Sequence, residues 1–561
     1  MSAKKSRLNV VLCWHMHQPE YRDPVSGVYI QPWTYLHAIK DYTDMAAHLE
    51  ANPKAHAVVN FVPLLLEQID DYAHNVRAHL NHNTPLNDPL LDALNEIPSG
   101  LARRADLIRK CLRANAVRLI APNPAYAQLA ELARYALDNP GALAYLGDSY
   151  FFDLAVWYHL AWMGETVYRS DSRLAQLKTQ GHAFTSTQRR LLLDVIASQI
   201  EGLIPRYRAL AESGRVELSM TPYAHPILPL LLDFHAAREA MPDAALPHGS
   251  YPGGEERVRW HLQHGREVFQ HYFGQIPTGC WPSEGGVSSA ALKAIAEAGF
   301  DWVATGGNVL KHSLHFEQAG PYEACLHSAW KLDDLPLNCY FRDDGLSDLV
   351  GFQYKDWHAD DAVANLLGHL EHIADHCTDP NSVVSIILDG ENAWEHYPNN
   401  GYYFLHALYD GLGKHPRFNL TTFAALQKPT AKAAVLPRLV AGSWVYGTFS
   451  TWMGDKDKNR AWDMLVEAKL AVDKALPHLE ATPREAVLQQ LAICEGSDWF
   501  WWLGEYNSAD TVADFERLYR LQLTRLYRMI NQPAPDYLGS VFAHGGGGHS
   551  ALGGVMLPGN R

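Results

Sequence analysis

The run Val383-Val384-Ser385-Ile386-Ile387-Leu388, followed directly by Asp389-Gly390-Glu391, is the stretch that decides the predicted fold. Its near-continuous apolar character is typical of a parallel strand buried on both faces, because helices cover both sides of such a sheet. Asp389 is therefore the first charged group at the carboxyl end of this strand. In parallel α/β folds, functional side chains gather at that end.

The first two-thirds of the chain repeats this unit of strand followed by helix. Further strands are predicted at residues 9–14, 57–62, 215–220, 302–305 and up to 281, and helices at residues 42–49, 64–72, 188–211, 255–273, 289–298 and 361–376. Helices between strands predict parallel pairing, and about seven strands favour closure over an open sheet. The predicted fold class is α/β, a (β/α)7 barrel that resembles an incomplete TIM barrel, followed by an α-helical C-terminal domain.

The domain boundaries follow from where the strand signals end. From about residue 435 helical patterns take over, at residues 458–476, 483–494 and 511–530. We therefore assign residues 1–430 to the barrel, with insertions at 80–98 and 234–254, and residues 431–535 to a helical domain that completes the active site. Residues 536–561 form a Gly-rich tail, and we interpret its HGGGGH segment at 544–549 as flexible rather than metal-binding.

The composition limits the possible partners and compartments. A net charge of −15 with neutral His repels polyanions, so we expect no nucleic-acid partner. No apolar run reaches the roughly 18 residues of a membrane span, and the basic residues 1–5 lead into a first strand rather than a signal peptide. Seven cysteines without paired spacing favour a reducing, cytoplasmic compartment. The 16 Trp and 27 Tyr suit sugar rings, because each combines an apolar face with a polar tip.

Glu284 follows a predicted strand in the same way as Asp389. It lies in Trp281-Pro282-Ser283-Glu284-Gly285-Gly286, where two glycines leave room for a ligand. Two carboxyl groups that face one cavity meet the minimal requirement for cleaving a glycosidic bond: one attacks or stabilises the anomeric carbon and the other donates a proton. The alternative is that each carboxylate caps the helix that follows its strand.

The end of the first strand, His15-Met16-His17-Gln18-Pro19, permits two interpretations. Alternate strand residues point the same way, so His15 and His17 could share a metal ion, with His225 as the third ligand. The favoured interpretation is that these imidazoles bind sugar hydroxyls and that no metal is held. The sequence also predicts no cofactor, because it contains no GxGxxG in a dinucleotide context, no phosphate loop and no GxSxG motif.

Taken in order, these segments resemble glycoside hydrolase family 57. The resemblance covers roughly residues 8–535. It is carried by His17-Gln18-Pro19, by Glu217-Leu218-Ser219 running into His225-Pro226, by Trp281 to Glu284, by Asp389-Gly390-Glu391, by Gly442-Ser443-Trp444 through Trp452-Met453-Gly454, and by Gly496-Ser497-Asp498-Trp499 through Trp502.

The resemblance implies a (β/α)7 barrel with a helical domain, a retaining mechanism without an obligatory metal, and carboxyl groups roughly 5–5.5 Å apart. It assigns the nucleophile to Glu284 and the general acid/base to Asp389. The implied substrate-binding residues are His15, His17, Gln18, Glu217, His225, Trp281, Glu391, Trp444, Trp452, Asp498 and Trp499.

The wording of the motifs is most similar to the α-amylase and amylopullulanase-like branch of the family. The expected activity is hydrolysis of mainly α-1,4 bonds in α-glucans or maltodextrins. A 4-α-glucanotransferase would use the same carboxylates and is the nearest alternative. Branching enzymes have a differently worded first motif and rank lower, as does a metal-dependent hydrolase built on His15, His17 and His225.

Overall fold

The computed structural model describes residues 7–314, 325–332, 335–377, 379–427 and 433–546. Ten strands in this part of the chain belong to one sheet. They are β1 (Leu8–Met16), β2 (Ala57–Phe61), β3 (Val216–Met220), β4 (Gly279–Cys280), β5 (Trp302–Thr305), β6 (Trp330–Leu332), β7 (Asn338–Phe341), β8 (Val383–Asp389), β9 (Phe418–Thr421) and β10 (Ala434–Leu436).

Seven of these strands form the barrel. They are parallel to one another in the order β7-β5-β4-β3-β2-β1-β8. The ring closes where Arg342, directly after β7, forms a parallel bridge with Ser385 of β8, and the Asp343 amide donates to the Ser385 carbonyl at 2.8 Å. The predicted (β/α)7 barrel is therefore confirmed. Outside the ring, β9 pairs with the first half of β1, and β6 and β10 extend the sheet beyond β7.

The barrel interior is filled by side chains rather than being open. Val11 and Cys13 of β1 pack there with Val58, Ile387 and a set of aromatic rings. Those rings are Trp281, Trp302, Tyr340 and Phe423. All nine residues of β1 are buried, because helices cover its outer side while neighbouring strands cover its inner side. The filled interior leaves the carboxyl ends of the strands as the place for a site.

The helices that cover the barrel follow the strands in turn. They are Trp33–His37 and Thr43–Ala51 after β1, Pro63–His82 and Ser186–Glu212 between β2 and β3, Leu228–Leu232 and Gly254–Phe273 after β3, Ser289–Glu297 after β4, Gly307–Ser313 after β5, Asp344–Asp348 and Ala359–His376 after β7, and Tyr402–Lys414 after β8. Ser186–Glu212 begins at a reciprocal capping box between Thr185 and Gln188, a local signal that fixes its start. Among these helices none is long and apolar enough to cross a membrane in the described part of the chain.

The insertion between β2 and β3 is larger than the sequence indicated. Instead of a loop around residues 80–98, it carries the helices Pro89–Asp92, Leu101–Cys111, Pro124–Asp138, Asp148–Ala161, Glu165–Ser170 and Ser172–Gln180. The helices Pro63–His82 and Ser186–Glu212 pack against each other at its base. The insertion contacts the helix Thr43–Ala51 after β1 and the turn Trp394–His396 after β8.

The C-terminal region is helical, as predicted, with Lys456–Ala475, Ala481–Cys494, Asp498–Trp502 and Ala509–Met529. The segment interpreted as a flexible tail packs onto these helices as far as residue 546. Ala543 is buried, the Phe542 amide donates to Glu516 at 3.1 Å, and the Gly546 amide donates to the Glu505 carbonyl at 3.1 Å. The rest of the HGGGGH segment, from residue 547 onwards, lies outside the described residues.

Candidate active site

Four adjacent strands place polar side chains at one level near their carboxyl ends. Asp389 on β8 is the register partner of His15 on β1, His15 is the partner of Asn60 on β2, and Asn60 is the partner of Ser219 on β3. In a parallel barrel, residues that are register partners on neighbouring strands point to the same side of the sheet. This layer is therefore the floor of a polar site above the apolar interior.

Three histidines stand on this floor. The ring of His17 stacks on that of His225 with centroids 3.8 Å apart, and the His15 ring lies 5.2 Å from His225. His15 and His225 share a hydrogen bond between their Nε2 atoms at 3.1 Å, and His17 Nε2 is 3.0 Å from both carboxylate oxygens of Asp498. The structure thus brings together His15, His17, His225 and Asp498 as predicted for the site.

Asn60 sets the direction of the hydrogen bonds along the histidines. Its Oδ1 lies 2.7 Å from His15 Nδ1, and its Nδ2 donates to Ser219 at 3.0 Å, so His15 Nδ1–H is the donor to Asn60. Burial and the neighbouring His17 lower the pKa of His15 to about 3, which keeps His15 neutral. Its Nε2 then accepts from His225 Nε2–H, and His225 Nδ1 accepts from the Ser497 hydroxyl at 2.7 Å.

Glu284 follows β4 in a short helical turn and is held in an unusual backbone conformation. Its φ of 57° and ψ of 24° lie in the left-handed region, which non-glycine residues rarely adopt outside constrained sites. The Trp444 indole Nε1–H donates to Glu284 Oε2 at 2.9 Å, and Ser497 Oγ lies 3.3 Å from Oε1. The side chain is 4% exposed and points into the space above the histidines, 3.9 Å from His225.

Asp389 stands at the end of β8 beside Asn392, whose amide donates to its Oδ2 at 2.6 Å. Burial raises the pKa of Asp389 to about 6, while the Asn392 bond and the charges of His17 and Arg342 oppose the rise. The next residue, Gly390, is in close contact with Met16: a Cβ there would lie 2.1 Å from the Met16 sulfur. A side chain at this position would require the Met16 side chain to move, so glycine favours this close contact between β1 and β8.

Gln18 and Glu391 form the outer edge of the site. The Gln18 amide donates to Glu391 Oε1 at 3.1 Å, and Tyr21 donates to Gln18 at 2.8 Å. Burial and the charge of Asp389 raise the pKa of Glu391 well above its usual range. Trp281 completes the floor, with its ring 6.4 Å from His15 and 5.3 Å from Trp444.

Two segments of the C-terminal region close the mouth. Gly442 forms an antiparallel bridge with Val287, which places Trp444 over Glu284, and the Ser497 amide donates to the His225 carbonyl at 2.9 Å. Ser497 and Asp498 thereby reach Glu284 and His17. The barrel and the helical region together form the site.

Glu217 is not brought to this site, although the motif comparison assigned it there. Its register partner is Val58, two residues before Asn60, so it lies one layer deeper in the barrel than Ser219. There it accepts from Trp302 Nε1 at 2.6 Å and from the Ala424 amide at 2.7 Å, and burial raises its pKa to about 7. The expected sugar contact of Glu217 is therefore corrected. Alternate residues of a strand point to the same side, so Glu217 points into the barrel interior, below the layer that contains Ser219.

Trp452 and Trp499 are also not platforms of the site. Trp452 is fully buried with its ring 5.4 Å from Trp501. Trp499 donates to the Ile493 carbonyl at 2.7 Å and stacks on Tyr519 at 5.7 Å. Both rings belong to the core of the helical region, so of the tryptophans predicted to bind substrate only Trp281 and Trp444 lie at the site.

Three residues of the site escaped the sequence analysis. Asn60 is the polar residue within the predicted strand 57–62, which was an available signal. Ser497 stands next to the predicted Asp498. Arg342 follows β7, a four-residue strand that the pattern did not reveal; its guanidinium lies 5.6 Å from the Trp444 ring.

The described residues contain one group with the ligand spacing of a metal site. Nitrogens of His17 and His225 and an oxygen of Asp498 lie within 4.8 Å of one another. His15 is not part of it, since its two nitrogens bond Asn60 and His225. The His17 and His225 planes differ by only 16°, and lone pairs of face-stacked imidazoles run parallel rather than converging on one ion at about 2.0–2.1 Å. Hydrogen bonding to a ligand suits the three side chains better.

The electrostatics of the two carboxyl groups permit acid/base chemistry. Burial, followed by the charges of Asp389 and Asp498, raises the pKa of Glu284 well above its usual range. Since the pKa of Asp389 is raised too, the pair retains a proton near neutral pH. The Trp444 indole donates to Glu284 at 2.9 Å and opposes the rise of its pKa.

Comparisons with solved structures identify proteins that share this fold. Similar solved structures are a branching enzyme from Pyrococcus horikoshii (14% identity, 99% of each chain covered, TM-score 0.55), the α-amylase AmyC from Thermotoga maritima (12% identity, 94% of this chain and 97% of that chain, TM-score 0.52) and a 4-alpha-glucanotransferase from Thermococcus litoralis (14% identity, 93% of this chain and 60% of that chain, TM-score 0.51). At these identities the likeness is one of fold. No curated protein matches the chain.

A family model is more specific than these folds. The model of glycosyl hydrolase family 57 matches residues 11–435, a range that contains β1 with its histidines, Glu284 and Asp389. Because this match covers most of the chain and includes the strand-end carboxyl groups of the barrel, the chain is a member of glycosyl hydrolase family 57.

Proposed function

We propose that the protein is a retaining glycoside hydrolase that cleaves mainly α-1,4 bonds in α-glucans or maltodextrins, with Glu284 as nucleophile and Asp389 as general acid/base. The observation that carries the proposal is the indole donor on Glu284. An indole N–H at 2.9 Å orients a buried carboxyl group and favours its charged form. This is what a nucleophile at an anomeric centre requires.

The reaction then proceeds in two steps. Glu284 attacks the anomeric carbon while Asp389 transfers its proton to the departing glycosidic oxygen, so a glycosyl-enzyme ester forms and the aglycone leaves as an alcohol. Asp389, now ionised, accepts a proton from water, and the resulting nucleophile attacks the same carbon and frees Glu284. A glucan hydroxyl in place of water gives transfer, the 4-α-glucanotransferase alternative.

The stacked histidines bind the sugar in this proposal. His17 Nδ1, Trp281 Nε1 and Glu391 Oε2 are buried and have no hydrogen-bond partner within the described residues. An unpartnered buried polar atom costs free energy until a ligand satisfies it. Sugar hydroxyls both donate and accept, so they can satisfy donors such as Trp281 Nε1 and acceptors such as Glu391 Oε2.

Azide rescue separates the roles of the two carboxyl groups. Glu284→Ala and Asp389→Ala are assayed on an aryl α-maltoside, whose leaving group needs little acid assistance. We expect azide to restore turnover in both, with a β-glycosyl azide from Glu284→Ala, where azide replaces the nucleophile, and an α-glycosyl azide from Asp389→Ala, where azide attacks the glycosyl-enzyme. The opposite pair of products would exchange the roles, and near wild-type activity of either variant without azide would refute its assignment.

Incubation with maltoheptaose separates hydrolysis from transfer. Products that are all shorter than the substrate support the hydrolase, whereas a ladder extending above seven glucose units supports the transferase. New α-1,6 linkages in the products would indicate branching activity.

The metal-dependent alternative is favoured only by the spacing of His17, His225 and Asp498. Full activity of protein freed of metal by a chelator would exclude it. Loss of activity that one added divalent metal restores would support it. The reducing, cytoplasmic setting remains part of the proposal and is supported by the odd number of cysteines.

A further inference from the structure

A second cavity of about 380 Å³ lies between the barrel and the helical insertion. Its walls come from the turn after β8 with Trp394 and Glu395, from Lys40 in the first βα connection, and from the insertion with Val117 and Tyr168. Its volume is at the small end of the range of ligand pockets, roughly 300–1,000 Å³. The side chains of the active site do not line it.

The cavity contains a buried carboxyl group without a partner. Glu395 is 2% exposed, and neither of its side-chain oxygens has a hydrogen-bond partner among the described residues. His396 Nε2 stands 3.8 Å from Oε1, beyond hydrogen-bond distance. Asn400 Oδ1, on the same cavity wall, is a second buried acceptor that lacks a donor in the described part of the chain.

The surrounding charges restrict what can occupy the cavity. Lys40 is buried and paired with Asp41 at 2.6 Å, and Arg118 and Lys178 also line the walls, so a cation is opposed. The carboxylate of Glu165 and the unpartnered acceptor oxygen of Asn400 oppose an anion. A neutral ligand rich in hydroxyl groups meets neither obstacle, and its O–H groups can donate to Glu395 and Asn400.

The walls and the protonation of Glu395 agree with such a ligand. The rings of Trp394, Tyr397 and Tyr168 line the cavity and offer the apolar surface that pyranose faces pack against. Burial raises the pKa of Glu395 to about 8, so at neutral pH its carboxyl group carries a proton and can both donate and accept.

The cavity is separate from the catalytic layer but shares a wall with it. The Trp394 indole donates to the carbonyl of Gly390, next to Asp389, at 2.8 Å, and its ring lies 5.7 Å from that of Trp14 on β1. Glu395 is the next residue, in the short helical turn Trp394–His396.

We propose that this cavity is a second, non-catalytic binding site for a neutral sugar, one or two rings at the end of an α-glucan chain. The identification of the sugar as an α-glucan rests on the proposed function; the preference for an uncharged polyhydroxyl ligand rests on the cavity alone. A glucan end held here would remain close to the turn that carries Asp389.

Calorimetry with maltotriose tests the proposal in the Glu284→Gln background, in which the ligand is not consumed. We expect two sites per chain. Val117→Trp should remove one of them or weaken it at least tenfold, because Val117 lines the cavity and is 69% exposed, so a bulkier side chain there narrows the cavity with little effect on the core. Val25→Trp is the matched control: Val25 is 59% exposed outside the cavity, and two sites should remain.

Glu395→Leu tests the carboxyl group itself and should also leave one site. A single site in every variant, or two unchanged sites in both Val117→Trp and Glu395→Leu, would overturn the proposal. Failure of the proposed function is seen separately, as absent turnover of maltoheptaose by the wild-type protein. In that case the number of binding sites counted by calorimetry would still test the cavity.

Discussion

Replacing Trp444 with Phe is predicted to move the acidic limb of the pH profile to higher pH. The substitution keeps an aromatic ring next to Trp281 and Arg342 but removes the indole N–H that donates to Glu284 at 2.9 Å. That bond lowers the pKa of Glu284 against the opposing effect of burial. Without it, Glu284 keeps its proton to higher pH and cannot attack.

The magnitude follows from the type of bond. A hydrogen bond to a charged group is worth about 1.5–3 kcal/mol, and 1.36 kcal/mol corresponds to one pKa unit. The pKa of Glu284 should therefore rise by about one to two, and the acidic limb should move upward by the same amount. At pH values well below the acidic limb, kcat/KM of Trp444→Phe should be about 10- to 100-fold lower than that of the wild type. At alkaline pH, where Glu284 is ionised in both proteins, the loss should be smaller.

The assay is kcat/KM on a maltodextrin measured from pH 4 to pH 9. Trp452→Phe is the matched control, because Trp452 is a buried indole whose Nε1 has no partner within the described residues; its profile should not move. An acidic limb that stays in place in Trp444→Phe, or that moves equally in Trp452→Phe, would refute the reasoning.

Three further predictions concern Glu395, Glu217 and Gly390. The pKa of Glu395 is raised to about 8 in the folded protein, so its contribution to stability is present below about pH 4.5 and is lost as the pH rises to about 8, by roughly 4–5 kcal/mol. In thermal melts from pH 5 to pH 9, the melting temperature of Glu395→Gln should therefore rise relative to that of the wild type as the pH increases. A constant difference between the two melting temperatures would contradict this prediction. Glu217→Gln should lower the melting temperature, because an amide cannot accept from both N–H donors and about 1–3 kcal/mol is lost, yet kcat/KM of the folded enzyme should stay within a few-fold; a loss as large as that of Glu284→Gln would return Glu217 to the site. Gly390→Ala should lower kcat at least tenfold since its Cβ would lie 2.1 Å from the Met16 sulfur, whereas Gly368→Ala, in open space, should be silent; equal kcat values would show that the contact is relieved without moving Asp389.

The fold could be read largely from local patterns. The strand at 302–305 was located to the residue, and the helices predicted at 188–211, 255–273 and 458–476 lie within two or three residues of the observed bounds. Long periodic segments carry their signal in neighbouring residues. Strands β7 and β9 are as short as β5, but each contains an Asn instead of a continuous apolar run, and both were missed.

The placement of the two candidate carboxyl groups was also accessible from the sequence, because a polar residue directly after a buried strand is a local feature. The role assigned to Glu217 was not reliable for the opposite reason. Whether a strand residue reaches the mouth depends on its register with neighbouring strands, and the pairing of Glu217 with Val58 is a property of the assembled sheet.

The sequence by itself determined the alternation of strands and helices and the polar residues at the strand ends, since both follow from burial patterns over a few residues. Only the tertiary structure decided what surrounds those residues. Trp444 and Ser497 contact Glu284 across 160 and 213 residues of chain, and Trp452 and Trp499, equally conspicuous in the sequence, turn into the helical core. Contacts between segments so far apart depend on how the barrel and helices pack, and no local pattern encodes that packing.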